Sequence, residues 1–334
     1  MHSPSLSCLF SQFLAEARGS RSSTIEMRRR AMDYCLAALG DIAVERFDLA
    51  AARKLQRTLF DAPQRGAVST NSYLRMLSPV LTYAVEIGWM AENPLRSLRK
   101  LREPRKRVEV YRRAEVDALL AACRTLRHPA SQRAWRLRIL LAVTAGLRRG
   151  EVLNLQIASC DFERGEIWVR AQDERPDGWR WGVKDYEDRK VPLPPVLADA
   201  LTATLAELPD GQPYVAITPQ RYRGCQRLRR EGKWTDELSN LPDPNFRKPF
   251  VRLCDRAGVP NRTFHGLRAT CITWWLQAGV PVHEVRELAG HSDIETTLRY
   301  YAAIRSDHVR RAADATERIM GSQIGATGLE PATS

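Results

Sequence analysis

The sequence predicts a mainly α-helical protein with a small antiparallel β-sheet, divided into two domains. Three observations carry that expectation. Apolar residues recur at helical spacing through the first hundred residues and again after residue 114. Between Glu166 and Leu193, apolar and charged residues alternate instead, as half-buried strands require. A basic run around Pro104 separates the two helical regions. At 334 residues and 44% hydrophobic composition, the chain is long enough to bury two cores.

The elements follow in order. Leu9, Phe10, Phe13 and Leu14 share one helical face near the start, too short and too poor in basic residues to read as a signal peptide. Ser22, Ser23 and Thr24 can cap a second helix that stops at Gly40. A third covers Leu49 to Leu59. A fourth runs from Ser69 to Trp89 on a stripe of Leu74, Leu77, Leu81 and Val85, and Pro79 should bend or interrupt it. From Arg96 to Arg113, nine of the residues are basic: Arg96, Arg99, Lys100, Arg102, Arg105, Lys106, Arg107, Arg112 and Arg113. Such a tether is first of all a solvated linker. It can also lie along a phosphate backbone and release counterions, which makes Arg99, Lys100, Arg105, Lys106 and Arg107 candidate phosphate-backbone contacts. The expected boundaries are a helical domain over 1–100, a linker over 101–113, a second domain over 114–310 and a disordered tail over 311–334.

In the second domain, helices are expected over Ala114 to Leu126 and Ala134 to Ala145, the latter ending at Gly146. Glu166 to Arg170, Trp179 to Val183 and Arg189 to Leu193 read as strands, with Lys184 to Asp188 as a turn. Leu197 to Leu208 is helical. Residues 209–245 lack a clean period and read as loops with one short helix at most. Helices resume near Phe246 and over Phe264 to Gln277, Val282 to Ala289 and Ile294 to Ala302.

Lys plus Arg number 52 against 39 Asp plus Glu, a net charge of +13, which points to a polyanionic partner. The seven cysteines form no CxxC pair, so neither a disulfide framework nor a zinc knuckle is legible, and a reducing, cytoplasmic setting fits. No apolar run is long enough to span a membrane. His283-Glu-Val-Arg-Glu287 lacks the second histidine of an HExxH zinc motif. No metal or other cofactor is expected.

Four segments carry chemistry. In Thr144-Ala-Gly-Leu-Arg148-Arg-Gly-Glu151, an arginine stands at a helix junction, where its guanidinium fork can match two phosphate oxygens. Glu151 can hold a neighbouring group, although an Arg/Glu pair three apart is common on surfaces. Lys184 on a turn can donate a proton to a departing oxygen, or is one exposed lysine among many. His265 and Arg268 share a helical face. Gly290-His291-Ser-Asp-Ile-Glu-Thr-Thr297-Leu-Arg-Tyr300 begins a helix, with Ser292 and Glu295 at capping-box spacing. That helix carries Tyr300, whose phenol can attack phosphorus. Each residue alone is more economically explained by packing or solvation.

In the order Arg148, Lys184, His265, Arg268, His291, Tyr300 they are far more specific. The phrases "GLRRGE" (146–151), "VKDYEDRKVPL" (183–193), "FHGLRATC" (264–271) and "LAGHSDIETTLRYY" (288–301) resemble the tyrosine recombinase family, which includes phage-type integrases. The resemblance covers most of residues 105–310, and "YAVEIGWMAENPL" (83–95) is similar to the end of that family's helical core-binding domain. It implies a two-domain clamp: a SAM-like, helical core-binding domain and an α+β catalytic domain around double-stranded DNA. It also implies a homo-tetramer on two DNA sites, and cleavage and rejoining through a 3′-phosphotyrosyl link without metal or ATP. The implied catalytic set is Arg148, Lys184, His265, Arg268, His291 and Tyr300, with Glu151 in support. Tyr300 stands three residues after Thr297, as the family pattern requires, which selects it over Tyr301. Two departures stand out: Gly266 occupies a position where the family often has a carboxylate, and 209–245 is longer and more basic than is common. The alternatives are a catalytically silent DNA-binding accessory protein of the same fold, a nicking-closing topoisomerase, and an RNA-binding protein favoured by net charge alone.

Overall fold

The computed structural model describes residues 4–16, 22–63, 65–104, 108–182, 188–301, 313–314 and 316–320. The chain divides into two compact units, Met1–Lys106 and Arg107–Ser334. The described part is mainly helical with a small antiparallel sheet, as the patterning predicts.

The first unit holds helices α1 (Leu6–Glu16), α2 (Ser22–Leu39), α3 (Leu49–Asp61), α4 (Ala67–Glu86) and the single turn α5 (Pro94–Ser97). Asp48 caps α3, its Oδ1 accepting from the Ala51 N–H at 2.8 Å, a bond that satisfies one of the unpaired donors of the first turn. Leu6, Leu9, Leu55, Leu77 and Val80 are buried in one core between α1, α2, α3 and α4. Of the two outcomes expected at Pro79, a bend or an interruption, the second does not occur: α4 runs through it. Leu77, Val80 and Leu81 are buried on both sides of the proline, and this packing outweighs one lost backbone bond. Val85 is only half-buried; Ala84 takes its place on the seam. Past α5 the chain stays with this unit. Asn71 donates to the Leu101 carbonyl at 2.9 Å and accepts from its N–H at 3.1 Å, and it also donates to Glu103.

The second unit begins sooner than the sequence suggests. Tyr111 is buried in the main core of this unit, its N–H donating to Thr270 Oγ1 at 2.8 Å, and Val108 and Val110 pack on a second cluster that includes Ala269, Ile272 and Leu276. The linker expected over 101–113 is therefore shorter, because apolar residues among its arginines are anchored in a core. Then come α6 (Arg113–Cys123), α7 (Pro129–Thr144), α8 (Arg149–Asn154), β1 (Cys160–Asp161), β2 (Glu166–Val169), β3 (Arg189–Pro192), α9 (Pro195–Leu205), α10 (Pro219–Arg230), α11 (Asp236–Asn240), α12 (Arg247–Ala257), α13 (His265–Gln277), α14 (Val282–Ala289) and α15 (Ile294–Tyr301). The second half of helix α7 is buried on every face, from Leu137 to Val143, and the helix lies central, against α6, α8, α9 and α13. Its one deeply buried charge, Arg138, donates to the Ala216 carbonyl at 2.8 Å and pairs with Asp243 at 3.0 Å.

The sheet has the order β1-β2-β3, with Cys160 opposite Ile167 and Ile167 opposite Val191. The strand expected over Trp179 to Val183 is not among its described members; only an isolated bridge joins Gln172 to Trp181. The alternation there comes from an aromatic hub instead. Trp179 is fully buried, stacked on Tyr214 at 3.9 Å between ring centroids and flanked by Trp234. The short strand β1 escaped the sequence because two residues carry no period. Residues 209–245 are more ordered than expected: α10 makes three turns, with Thr218 as its cap and Pro219 in its first turn. Of the tail expected to be disordered over 311–334, residues 313–314 and 316–320 are described and are helical, and the rest lies outside the described residues. None of the described helices is long and apolar enough to cross a membrane.

Candidate active site

The site is built at the turn between α7 and α8. Helix α7 ends at Thr144, and Gly146 takes a left-handed φ of +64° that turns the chain. A Cβ at this glycine would stand 2.9 Å from the Trp275 ring. The turn delivers Arg148 to the N-cap of α8, where its backbone N–H donates to Glu151 Oε2 at 2.7 Å. Its guanidinium donates to Glu151 Oε1 at 3.1 Å and to the Gly290 carbonyl.

Glu151 is 3% exposed and takes a second guanidinium. Arg189, the first residue of β3, meets it with two parallel bonds, at 2.9 and 2.7 Å, and donates from Nε to the Leu288 carbonyl at 2.9 Å. Burial alone would raise the Glu151 carboxyl, but Arg189, Arg268 and Arg148 override it and hold the pKa down at about 2. Three guanidinium groups around one carboxylate leave the pocket strongly positive.

Arg268, one turn into α13, is 1% exposed. It donates to the carbonyls of Gly146, at 2.6 Å, and of Ala289. Its Nε is buried without a hydrogen-bond partner among the described residues. Burial lowers its pKa to about 10, with Glu151 opposing and Arg148 and Arg189 adding to the effect. His265 opens the same helix but is exposed. Just before it, Thr263 holds a φ of +42°, a strained conformation for a β-branched residue. Gly266 fits its place for a steric reason: a Cβ would lie 3.2 Å from the Tyr111 ring and 3.3 Å from Arg262.

The last part comes from the turn between α14 and α15. Gly290 is left-handed, at φ +61°, and lies flat against the Arg189 side chain. His291 Nδ1 is 2.9 Å from the hydroxyl of Thr297, itself fully buried. Burial and the nearby charges of Arg268, Arg148, His265 and Arg189 push the His291 pKa down to about 3, so the ring is neutral at ordinary pH. The Tyr300 ring lies 5.9 Å from it and nearly parallel, at 12°. Tyr300 is 6% exposed, in a cluster with Ala269, Ile272, Leu276, Val285 and Ala289. Burial raises its pKa, and Arg268 and Arg148 offset only part of that. The cap of α15 is Asp293, whose Oδ1 accepts from the Glu295 N–H at 2.9 Å; the expected Ser292 box is not what starts the helix. A cleft of about 700 Å³ opens beside the group, lined among others by Trp168, Arg189, Lys190, Arg286 and His291.

Arg148, Glu151, His265, Arg268, His291 and Tyr300 are thus brought together from α7–α8, α13 and the α14–α15 turn. Lys184 lies outside the described residues, as do Arg105, Lys106 and Arg107. Arg99 and Lys100 are exposed in the first unit. Sequence reasoning gave no role to Arg189 or to the Thr297 hydroxyl. The signal for Arg189 was present: it shares a strand face with Val191, which points into the core.

A family model, the Phage integrase family, matches residues 109–308, and the chain belongs to that family. Among its relatives is the tyrosine recombinase XerA of Thermococcus kodakarensis, 33% identical over 221 residues, covering 65% of this chain and 67% of the relative. Among solved structures, the fold is similar to the Tn1549 transposon integrase in complex with circular intermediate DNA. That pair has 20% identity and a TM-score of 0.69 over 92% of this chain and 98% of the other. It is also similar to a lambda integrase tetramer bound to a Holliday junction, with 15% identity and a TM-score of 0.66 over 90% and 78%.

Proposed function

We infer that this protein is a site-specific DNA recombinase that cuts and rejoins duplex DNA through a tyrosine. The observation that carries the reading is the convergence of Arg148 and Arg268 on one positive pocket, with Tyr300 stacked beside His291 at its edge. A phosphodiester is an anion that resists attack by another oxygen. Guanidinium groups fixed in advance would stabilise the charge that builds on its non-bridging oxygens at the transition state. In binding, the phosphate would take over donors that now face the Gly290 and Ala289 carbonyls. His265 and the neutral His291 would add hydrogen bonds; once the anionic phosphate is bound and raises the imidazole pKa, one of these rings would take the phenolic proton.

The Tyr300 oxygen would then bond to phosphorus as the bond from phosphorus to the 5′ oxygen breaks. That leaves a 3′-phosphotyrosyl ester, with Lys184 supplying the proton to the 5′-hydroxyl. The ester conserves the bond, so the reverse attack reseals the strand without ATP. The positive charge in this scheme comes from arginines, so it asks for no metal. Glu151 and Arg189 would act as positioning residues, keeping Arg148 aimed. By analogy with the lambda integrase tetramer on a Holliday junction, recombination would be completed by four copies on two duplexes. The exposed Arg99 and Lys100, with Arg105, Lys106 and Arg107, would contribute backbone contacts, and the first unit would serve as the core-binding domain. The working compartment would be the cytoplasm, where DNA substrates lie.

A nicked suicide duplex containing the target site tests this. The wild type should form a protein–DNA adduct that survives detergent. Tyr300→Phe should form none, with a melting temperature close to the wild type because the ring still fills its cluster. An adduct undiminished in Tyr300→Phe would remove the basis of the reading.

A further inference from the structure

We propose that α10 is a second phosphate-backbone contact, with Arg223, Arg227 and Arg230 gripping duplex DNA alongside the cleavage point. The inference rests on the recombinase reading and extends it to a surface outside the active site.

Helix α10 has two unlike faces. One is docked. Cys225 is fully buried, Tyr222 donates to the Asp177 carbonyl at 2.8 Å, and Gln226 donates to the same carbonyl at 3.1 Å. Arg229 belongs to this face: it pairs with Glu174 and donates to the carbonyls of Pro176, at 3.1 Å, and Arg175, at 2.7 Å. The other face carries Gln220, Arg223, Arg227 and Arg230, all exposed. Their steps of three, four and three residues align them in one stripe along the helix. From Arg223 to Arg230 the stripe spans about 10 Å at 1.5 Å per residue. That length matches a few successive phosphates on one strand, which carries a charge about every 3.4 Å of duplex axis.

A face that serves only solubility mixes both signs of charge. The sequence of α10, PQRYRGCQRLRR, holds no acidic residue. Glu231 follows it, but the Arg227–Glu231 contact is loose, at 3.9 Å with the arginine side chain 70% exposed. Cationic residues in the last turn do complement the helix dipole, which accounts for Arg227 and Arg230 in part but not for Arg223 in the first half.

Position supports the same assignment. Helix α10 rests on Pro242, whose carbonyl accepts from Arg221 and Cys225. Two residues earlier, the Asn240 carbonyl accepts from Asn154 at 3.4 Å and lies 3.4 Å from where a Gly150 Cβ would stand. Both partners belong to α8, the helix that Arg148 caps. The excursion that carries the stripe is therefore fastened to the helix that presents Arg148.

The test is the salt dependence of duplex binding by the full chain, from about 50 to 200 mM NaCl. Each phosphate contact contributes about 0.9 to the slope of log affinity against log salt. The triple variant Arg223→Gln, Arg227→Gln, Arg230→Gln should lower that slope by about 2 to 3. The loss should be equal on target and random duplexes, and the corresponding Lys variants should restore it. At low salt and saturating DNA, its yield of covalent adduct should stay within about twofold of wild type. A slope equal to the wild type's would overturn the proposal and would point to a protein partner for the stripe. Absence of any adduct from the wild type would instead overturn the recombinase reading, while the slope comparison would still report on α10.

Discussion

Glu151 decides how the arginines stand. It accepts from Arg148 and Arg189 and lies near Arg268, so removing its charge leaves buried cations facing one another. Breaking a buried pair in this way typically costs about 3 to 5 kcal/mol. Glu151→Gln should lower stability by about that much in urea unfolding at pH 7, and adduct formation should fall with it. The pH dependence follows from the lowered pKa. The carboxyl titrates near 4.5 unfolded and near 2 folded, so its contribution is complete above about 4.5 and is lost as pH falls towards 2. Between pH 5 and 3, wild-type stability should therefore drop more steeply than that of Glu151→Gln. Parallel curves would show that Glu151 is not held by the arginines. At this scale the sequence was a good guide to near neighbours: the spacing in GLRRGE sets Arg148 against Glu151, and HGLR puts His265 and Arg268 in the first turn of one helix. It was a poor guide where the role depends on a partner far along the chain, as with Arg189, which reaches Glu151 across 38 positions.

Among the elements, the α7–α8 turn is the most demanding. Gly146 combines a left-handed backbone with a ring 2.9 Å from any added Cβ, and its carbonyl is an acceptor for Arg268. Gly146→Ala should cost on the order of 1 to 3 kcal/mol through backbone strain. Because it shifts that acceptor, adduct formation should fall at least tenfold while duplex affinity changes less than threefold. An equal loss in both would mean that the turn supports the fold alone. Helices α7, α13 and α14 were legible because their apolar residues and glycine stops obey local rules. Helix α10 was not, since its order comes from Thr218, Pro219 and contacts made by residues 174–177 rather than from a period of its own. The aromatic hub misled for a similar reason: Trp179 and Trp181 alternate like a strand, while Trp179 is buried by stacking on Tyr214.

On the scale of the whole molecule, the chain is two units with separate cores, one around Leu55 and Leu77 and one around α7. A fragment covering 107–334 should therefore melt cooperatively by circular dichroism. It should also still form the adduct, at higher DNA concentration than the full chain needs, because the complete site lies within it. A fragment without a melting transition would show that the second core depends on the first unit. The net charge of +13 gives every copy a long-range attraction to any duplex, so most encounters will be with the wrong one. The shelter around Tyr300, 6% exposed and packed on Ala269, Ile272 and Leu276, bears on those encounters. If Tyr300 is the nucleophile proposed above, a molecule patrolling foreign DNA would carry no bare oxyanion with which to scar it, and the same aliphatic wrapping that disguises the residue as ordinary core would keep a roaming copy harmless.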